Sequence, residues 1–198
     1  IQGATGQEFY RCIDFSPEIN ILGTGLLNDN TIRIYNYRTG DLIKTLIGHT
    51  NTVTAIDFSP NGKLLASSSD DGSIKLWDVV TGKEINTFKV DKTYIKSVIF
   101  TNDGNYLIFS GNDSLIRIWD LMTGELKKII KGHQNCVYSL DFSPNGKFLA
   151  SGDGDGVVSI WNTDDWSQKN SYKTSLKESY YDRNYQVESL KFSSDSKY

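Results

Sequence analysis

Serine, histidine and aspartate are the residue types of a nucleophilic triad, and this sequence holds all three at matching offsets in two places. A tryptophan follows each set at the same distance. The two sets are His49, Ser67, Asp71 and Trp77, and His133, Ser151, Asp155 and Trp161. A catalytic triad is expected once, beside a unique pocket with oxyanion donors. Because these residues recur, we favour a structural hydrogen-bond network over a catalytic site.

The remaining polar residues do not indicate metal or cofactor chemistry. The chain has two histidines and two cysteines, Cys12 and Cys136, and no pair has the spacing of metal ligands. The glycine-rich turn at 151–156 lacks the lysine and following helix of a phosphate loop, and it lacks the spaced oxygen ligands of a calcium loop. We therefore predict no catalytic residue, no metal and no cofactor.

Several landmarks repeat along the chain with a period of about 42 residues. A tyrosine or tryptophan recurs every 42 residues, at Tyr35, Trp77, Trp119 and Trp161. A phenylalanine that follows an apolar residue by two positions recurs at intervals of 43, 42, 42 and 50, at Phe15, Phe58, Phe100, Phe142 and Phe192. Interleaved landmarks that share one period indicate a repeat architecture.

Each unit contains four short β-type runs separated by turn residues. In the second unit these runs cover residues 53–58, 63–67, 73–77 and 84–89. They lie too close together for crossover helices, and no helical periodicity of useful length appears. The sequence therefore predicts an all-β fold, a β-propeller of four-stranded antiparallel blades.

The units resemble the WD-repeat family in several motifs that share one register. In the second unit these motifs are Gly48-His49, Phe58-Ser59-Pro60, Asp71-Gly72 and Trp77-Asp78. The resemblance implies that the repeated His, Ser, Asp and Trp form a buried hydrogen-bonded chain. The third unit departs from the pattern, since Val90-Asp91 replaces Gly-His and Phe109 stands in place of the serine. A complete network cannot form there.

The resemblance also implies a propeller of about seven blades, of which this chain covers about four and a half. We place the units at about 7–47, 48–89, 90–131 and 132–173, with an incomplete unit at 183–198. The longer interval before Phe192 indicates an inserted loop at about 174–183. An open array would leave strand edges and an apolar blade face uncovered. We therefore expect the chain to be part of a larger propeller.

Composition limits the kinds of partner. The 198 residues carry a net charge of −3, which gives no basic field of the kind that attracts nucleic-acid phosphates. We therefore do not expect direct nucleic-acid binding, although a complex could bring the chain to nucleic acid. No apolar run approaches the roughly 20 residues of a transmembrane helix, so membrane insertion is not expected. Two cysteines are too few for a disulfide framework, which fits an intracellular location, cytoplasmic or nuclear.

The first strand of each unit should line the central channel, so the residues at its start face the channel mouth. These positions and the residues before the turn aspartates differ between units while framework positions repeat, as expected for a shared scaffold with a specialised mouth. The candidate partner-binding residues are Phe9, Arg11, Asn28, Thr52, Thr54, Asp70, Tyr94, Lys96, Asn112, Cys136 and Tyr138, with Tyr180 and Tyr181 in the inserted loop. Aromatic and arginine residues suit an interface hot spot, but amphipathic rim residues can also simply border solvent.

These observations predict a non-enzymatic protein–protein interaction scaffold within a multi-protein complex, which binds proteins or peptides through its loop face and channel mouth. Two alternatives stay open. One is a ribonucleoprotein or nucleic-acid-associated propeller subunit, and the other is a propeller segment of a larger protein whose function lies in a separate domain. The acidic balance argues against the first alternative, and the residues of this segment do not decide the second.

Overall fold

A computed structural model of the chain describes residues 9–173 and 186–196. Within these residues, sixteen strands form four antiparallel sheets, numbered here as blades 1 to 4. Blades 1 and 2 contain β1 (Tyr10–Phe15), β2 (Ile21–Leu26), β3 (Ile32–Asn36) and β4 (Leu42–Leu46), then β5 (Val53–Phe58), β6 (Leu64–Ser69), β7 (Ser73–Asp78) and β8 (Glu84–Lys89). Blades 3 and 4 contain β9 (Ile95–Phe100), β10 (Tyr106–Gly111), β11 (Ile116–Asp120) and β12 (Glu125–Ile130), then β13 (Val137–Phe142), β14 (Phe148–Asp153), β15 (Val157–Asn162) and β16 (Gln168–Lys173). The prediction of an all-β chain built from four-stranded antiparallel blades is confirmed.

Tight turns join neighbouring strands within each blade, because Gly, Pro, Asn and Asp punctuate the apolar runs. In blade 2, the N–H of Gly62 donates to Ser59 O (2.8 Å), and the N–H of Gly72 donates to Ser69 O (3.2 Å). Gly72 has a φ of +79°, and a Cβ there would lie 2.9 Å from Thr93 O of the next blade. A larger residue at this position would therefore disturb both the turn and the blade junction.

The hydrophobic core lies between neighbouring blades rather than inside any one of them. One buried cluster joins Ile32 and Leu46 of blade 1 to Val53 and Phe58 of blade 2. Similar clusters join blade 2 to blade 3 and blade 3 to blade 4. A sheet packed on both faces buries every residue of its inner strands, so the second strand of each blade is buried at nearly every position.

Carboxylates tie the innermost strands of successive units together. Each carboxylate belongs to the aspartate directly before one landmark phenylalanine. It accepts a hydrogen bond from the backbone N–H of the landmark phenylalanine in the next unit. The N–H groups of Phe58, Phe100 and Phe192 donate to Asp14 (2.7 Å), Asp57 (2.6 Å) and Asp141 (2.6 Å), respectively. At the junction of blades 3 and 4 the matching residue is Ile99, which cannot accept such a bond.

Residues 186–196 continue this pattern beside blade 4, although no strand is assigned to them. The N–H of Val187 donates to Asp153 O (3.0 Å), and Phe192 is buried against blade 4. The segment thus packs on blade 4 as the first strand of each later blade packs on the blade before it. The loop predicted at 174–183 lies outside the described residues.

Candidate interaction site and its supporting hydrogen-bond network

In blade 2, the four repeated polar side chains form one buried chain of hydrogen bonds. Trp77 Nε1 donates to Ser67 Oγ (2.9 Å), and Ser67 Oγ lies 2.7 Å from His49 Nε2. His49 Nδ1 lies 2.9 Å from Asp71 Oδ2. Ser67 Oγ accepts a hydrogen bond from the Trp77 indole, so the hydroxyl proton of Ser67 can be donated to His49 Nε2. The other ring nitrogen of His49, Nδ1, then carries a proton and donates it to Asp71. The chain thereby joins the loop before β5 to β6, to β7 and to the turn between them.

Asp71 is held in its charged form by this environment. Burial disfavours the charge, but hydrogen bonds from His49, from the Ser73 hydroxyl (2.6 Å) and from the Thr50 N–H (2.9 Å) outweigh burial and lower the pKa of Asp71. With the N–H of Ser73 (2.8 Å), the carboxylate therefore accepts hydrogen bonds from four donors at neutral pH. It fixes the loop before β5 against the turn after β6.

Blade 4 contains the same kind of network, but its carboxylate is not the one predicted. Trp161 Nε1 donates to Ser151 Oγ (2.7 Å), and Ser151 Oγ lies 2.6 Å from His133 Nε2. His133 Nδ1 lies 2.7 Å from Asp153 Oδ2, and Asp153 is buried. Asp155, which the repeat offset predicted for this role, is exposed. The prediction of Asp155 is therefore wrong.

Asp153 takes the place of Asp155 because of the hydrogen bonds within the turn. Asp153 ends β14, where its Oδ1 accepts the N–H groups of Asp155 and Val157 (both 2.9 Å) while its Oδ2 faces the imidazole. Val157 has no hydroxyl to offer, unlike Ser73, which donates to the network carboxylate of blade 2. Asp155 instead accepts a hydrogen bond from Asn135 Nδ2 (2.9 Å). The sequence places two aspartates two residues apart here, which made it ambiguous which of them belongs to the network.

Blades 1 and 3 lack the histidine and pair the turn aspartate with an arginine. Asp29 Oδ2 lies 3.2 Å from Arg33 Nη2 in blade 1. In blade 3, Asp113 forms two hydrogen bonds with the guanidinium of Arg117. Burial disfavours the charge of Asp113, but Arg117 outweighs it and lowers the pKa of that carboxyl. The aspartate of this turn is thus paired with histidine in blade 2 and with arginine in blades 1 and 3.

The loss of the serine in blade 3 leaves a buried donor unpaired. Phe109 occupies the position of Ser67, so Trp119 Nε1 is buried with no hydrogen-bond partner among the described residues. The indole ring instead packs against Phe88 of blade 2, with ring centroids 4.7 Å apart. Apolar contact therefore replaces the polar network in this blade, as the sequence predicts for an incomplete set.

Four of the predicted partner-binding residues meet where blades 2 and 3 adjoin, and we call Asp70, Tyr94, Lys96 and Asn112 the rim cluster. Lys96 Nζ lies 2.5 Å from Asp70 Oδ1 and 5.8 Å from the centroid of the exposed Tyr94 ring. The N–H of Tyr94 donates to Asn112 Oδ1 (2.9 Å). A groove of about 520 Å³ runs beside the cluster. The structure therefore presents an aromatic ring and both signs of charge at one open surface.

Two other candidates are buried and do not belong to the exposed rim. Thr54 Oγ1 donates to Ile95 O (2.7 Å) of the next blade, so it stabilises the junction. Cys136 is also buried. The other residues at the strand position of Thr54 are Arg11, Lys96 and Tyr138, whose longer side chains are at least partly exposed. The offset from the landmark phenylalanine does not take side-chain length into account, and the short threonine side chain ends at the junction instead of at the surface.

Thr52 adjoins the rim cluster, since its carbonyl accepts a hydrogen bond from the N–H of Asp70 (3.0 Å), and the remaining described candidates lie on blades 1 and 4. Thr52 and Tyr138 are partly exposed at blades 2 and 4, and three exposed residues lie on blade 1: Phe9, Arg11 and Asn28. Tyr180 and Tyr181 lie outside the described residues. For these positions, partner binding stays a prediction.

A cavity that the sequence did not predict opens among the junction carboxylates. It has a volume of about 240 Å³, and Asp57, Asp141 and Lys191 are among the residues that line it. Lys191 Nζ lies 2.6 Å from Asp141 Oδ1. Burial and the nearby negative charge of Asp14 raise the pKa of Asp57 to about 8, despite the hydrogen bond from the Phe100 N–H. The repeated Asp-Phe pairs were the signal that could have found these residues.

Comparison with protein families matches the description "WD domain, G-beta repeat" to residues 40–78, 82–120 and 124–162, more than half of the chain. Each matched segment begins in the last turn of one blade and ends with the third strand of the next. The family repeat is therefore offset by one strand from the blade.

Several curated proteins are similar over short stretches. Nuclear distribution protein PAC1 of Coccidioides posadasii (strain C735) is 48% identical over 56 residues, which cover 28% of this chain and 12% of that protein. Nuclear distribution protein nudF 2 of Talaromyces marneffei (strain ATCC 18224 / CBS 334.59 / QM 7333) shows the same identity and coverage. Pre-mRNA-processing factor 19 of Oryza sativa subsp. japonica is 37% identical over 68 residues, which cover 34% of this chain and 13% of that protein. The chain thus matches about an eighth of the length of each relative.

Three further observations concern the chemistry of the described residues. Across residues 9–173 and 186–196, no group of three or more His, Cys, Asp or Glu residues is placed to hold a metal ion. Burial raises the pKa of Cys12 to about 12, so this thiol is not a thiolate at neutral pH. No helix in the described part of the chain is long and apolar enough to span a membrane.

Asp153→Asn should lower the free energy of unfolding by about 1–3 kcal/mol, because the amide NH2 would face the Nδ1–H of His133 and leave a buried donor unpaired. His133→Ala should cost at least as much, since it also removes buried packing. Urea or thermal unfolding of the purified protein measures both changes. Asp155→Asn is the matched control and should change stability by less than about 0.5 kcal/mol, because Asp155 is exposed. Equal losses in the two aspartate variants would show that the network does not use Asp153.

Asp57 should make the protein less stable as the pH rises. Its pKa is about 8 in the folded state against 3.8 for the free group, so the folded state binds the proton more tightly. Stability should therefore fall from about pH 4 to pH 8, with a slope on the order of 1 kcal/mol per pH unit from this group. Asp57→Asn keeps an acceptor for the Phe100 N–H and should flatten that slope when unfolding midpoints are compared at pH 5 and pH 8. If Asp57→Asn and the exposed control Asp155→Asn have the same pH dependence as the parent protein, Asp57 does not titrate in this range.

Proposed function

Since the chain belongs to the WD40 family of G-beta repeat proteins, we propose that it is a non-enzymatic scaffold that holds partner proteins or peptides at its loop face and channel mouth. WD40 repeats are protein-interaction modules. The names of the matched relatives refer to nuclear distribution and to pre-mRNA processing. We extend the proposal to an intracellular location, cytoplasmic or nuclear, within a multi-protein complex.

The observation that carries this proposal is the rim cluster. Lys96 and Asp70 hold each other across the junction of blades 2 and 3, and Asn112 holds the backbone of Tyr94. The Tyr94 ring is therefore exposed on a backbone that is already fixed, so that less ordering is needed on binding. An exposed aromatic ring beside a lysine and a carboxylate is typical of protein-recognition surfaces.

Burial of the polar networks supports a structural role for them. Ser67 Oγ lies between His49 and Trp77 and is fully buried, so a substrate has no path to the hydroxyl. Ser151 is enclosed in the same way in blade 4. The networks instead fasten the loops that lead to the channel mouth, and that rigidity is what a scaffold requires.

Replacing the rim aromatics should weaken partner binding without unfolding the protein. Tyr94→Ala combined with Tyr138→Ala should reduce recovery of bound proteins at least tenfold, because each aromatic anchor contributes about 1 kcal/mol or more at a hot spot. The measurement is quantitative affinity capture with the complete protein, accompanied by thermal unfolding of each variant. Tyr172→Ala is the control, since Tyr172 is exposed on the outer strand β16. Unchanged recovery by a folded double variant would place the partner site away from these two residues.

We also propose that another blade covers blade 1 in the complete protein, as part of a larger propeller. Ile13 is 59% exposed, whereas the matching residues Ile56, Val98 and Leu140 are 7%, 1% and 6% exposed. Phe15 is exposed as well. These residues face the side on which each of the other blades contacts its predecessor, and an apolar surface of this kind is normally covered.

Ile13→Asp should therefore destabilise the complete protein by roughly 3 kcal/mol or more, because a covering blade would bury the new carboxylate without a partner. Ile85→Asp is the matched control, since Ile85 is exposed on the outer strand of blade 2, and it should have little effect. Thermal unfolding of the complete protein and its two variants measures the difference. If Ile13→Asp is as mild as Ile85→Asp, the face of blade 1 is open to solvent and the proposal fails.

A further inference from the structure

Trp166 occupies a backbone position that glycine holds in the other three blades. The turn between the third and fourth strands carries Gly40, Gly82 and Gly124 in blades 1 to 3, with φ values of 80°, 72° and 70°. Trp166 stands at the matching place in blade 4 with a φ of 62°. This left-handed region is uncommon for residues with a side chain and is an outlier for a bulky one. The turn thus keeps its glycine conformation while it carries a large aromatic ring.

The Trp166 ring forms part of a pocket between blades 3 and 4, at the opposite end of the strands from the rim cluster. We call it the side pocket. Its lining residues are Thr101, Asn102, Asp103, Tyr106, Phe142, Gly146, Thr163 and Trp166. Its volume is about 260 Å³, below the range of about 300–1,000 Å³ typical of small-molecule sites, so it suits a single large side chain.

Hydrogen bonds between the blades hold the walls of the side pocket in place. Asn102 Nδ2 donates to Ser143 O (2.9 Å), which joins the first turn of blade 3 to that of blade 4. Lys128 Nζ, from the outer strand of blade 3, donates to Asp165 O (2.9 Å), directly before Trp166. The side pocket is therefore preformed by contacts within the chain.

The other two junctions between described blades lack this combination of aromatic residues. The residues that match Tyr106 are Ile21 and Leu64, and those that match Trp166 are Gly82 and Gly124. At the junction of blades 1 and 2, a Cβ on Gly82 would lie 2.4 Å from Lys44 Cδ, so Lys44 blocks the space. Phe142 is partly exposed, whereas its counterparts Phe58 and Phe100 are buried. The side pocket is thus a specific feature of the junction between blades 3 and 4.

The chemistry of the lining points to a cation with an apolar stem. Asp103 is the only charged residue among those that line the side pocket. Burial disfavours its charge, but hydrogen bonds from Thr101 and Asn105 outweigh burial and lower the pKa of Asp103, which keeps it ionised. Lys127 Nζ donates to the Tyr106 hydroxyl (2.5 Å) and lies 4.0 Å from the ring centroid, so one side of this ring is already paired with a cation of the chain. A further cation would use the faces of Trp166 and Phe142. Aromatic faces beside a carboxylate suit a lysine or, because its guanidinium is planar and stacks on rings, an arginine.

We propose that the side pocket binds a basic side chain of a partner polypeptide, arginine in preference to lysine, with its stem against Trp166 and Phe142 and its charged head beside Asp103. The side pocket is a second interaction surface. It lies at the other end of the blades from the rim cluster and does not depend on what binds there.

Titration of the complete ¹⁵N-labelled protein with the capped tripeptide acetyl-Gly-Arg-Gly-amide tests this proposal. The indole N–H resonance of Trp166 should shift in a saturable way at millimolar peptide. The corresponding peptides with leucine or glutamate at the centre should bind at least tenfold more weakly. Asp103→Asn removes the charge, and Tyr106→Leu installs the residue that blade 2 carries at that position; each should weaken arginine-peptide binding about fivefold.

Trp166→Gly serves as the control variant because it restores the glycine of the other three turns. The resonance that disappears in this variant is the indole N–H of Trp166. The variant should stay folded, because glycine adopts the left-handed backbone conformation of this turn without strain. It should also abolish the arginine-dependent shifts at Thr163 and Gly146. A leucine peptide that binds as tightly as the arginine peptide would overturn the proposal and show an apolar docking site. The absence of a saturable shift, or equal binding by Asp103→Asn, would overturn it as well.

Discussion

Each four-stranded sheet in this protein has two faces to bury, and the rest of the structure depends on neighbouring sheets meeting that need for one another. The described residues contain no helix that could cover a sheet. Blades therefore stack, and Ile56, Val98 and Leu140 are buried because the preceding blade lies over them. Each family repeat begins with the outer strand of one blade and ends inside the next. The sequence unit thereby spans a junction, so the chain connects the two sheets that must pack together.

Two kinds of side chain, histidine and arginine, donate hydrogen bonds to the aspartate that follows the second strand of a blade. Every turn after a second strand places a carboxylate near buried backbone, and that carboxylate needs donors. His49 supplies them to Asp71 through a chain that also pairs Trp77, whereas Arg117 supplies them to Asp113. In blade 3 the replacement of the serine by Phe109 also leaves Trp119 Nε1 unpaired among the described residues, a cost of about 1–3 kcal/mol that the contact with Phe88 must offset. Apolar packing between blades is therefore sufficient to form a blade, and the histidine network additionally joins the loop before the first strand to the turn after the second.

Periodicity made the fold predictable, and it also produced the errors. The runs predicted at 63–67 and 73–77 are the strands Leu64–Ser69 and Ser73–Asp78, because turn residues mark their ends. The offset that placed Asp71 correctly pointed to Asp155 in blade 4, but there the residue two positions earlier, Asp153, faces the imidazole. Thr54 was misplaced since its short side chain donates to Ile95 O of the next blade, whereas the longer Lys96 at the matching position reaches the surface. The raised pKa of Asp57 depends on burial and on carboxylates from other blades, so only the folded arrangement reveals it.

The packing of each blade against its neighbours also limits where a binding site can form on this fold. Residues on the blade faces are fixed by the neighbouring blade, so sequence differences accumulate at strand ends, where two blades meet. A ligand at such an end contacts both blades and stabilises their junction by its own binding free energy. Between blades 3 and 4, Ile99 replaces the carboxylate that joins the other units, and the side pocket lies at the same end of that junction. A basic side chain between Asp103 and Trp166 would supply a link across the two blades that Ile99 cannot provide.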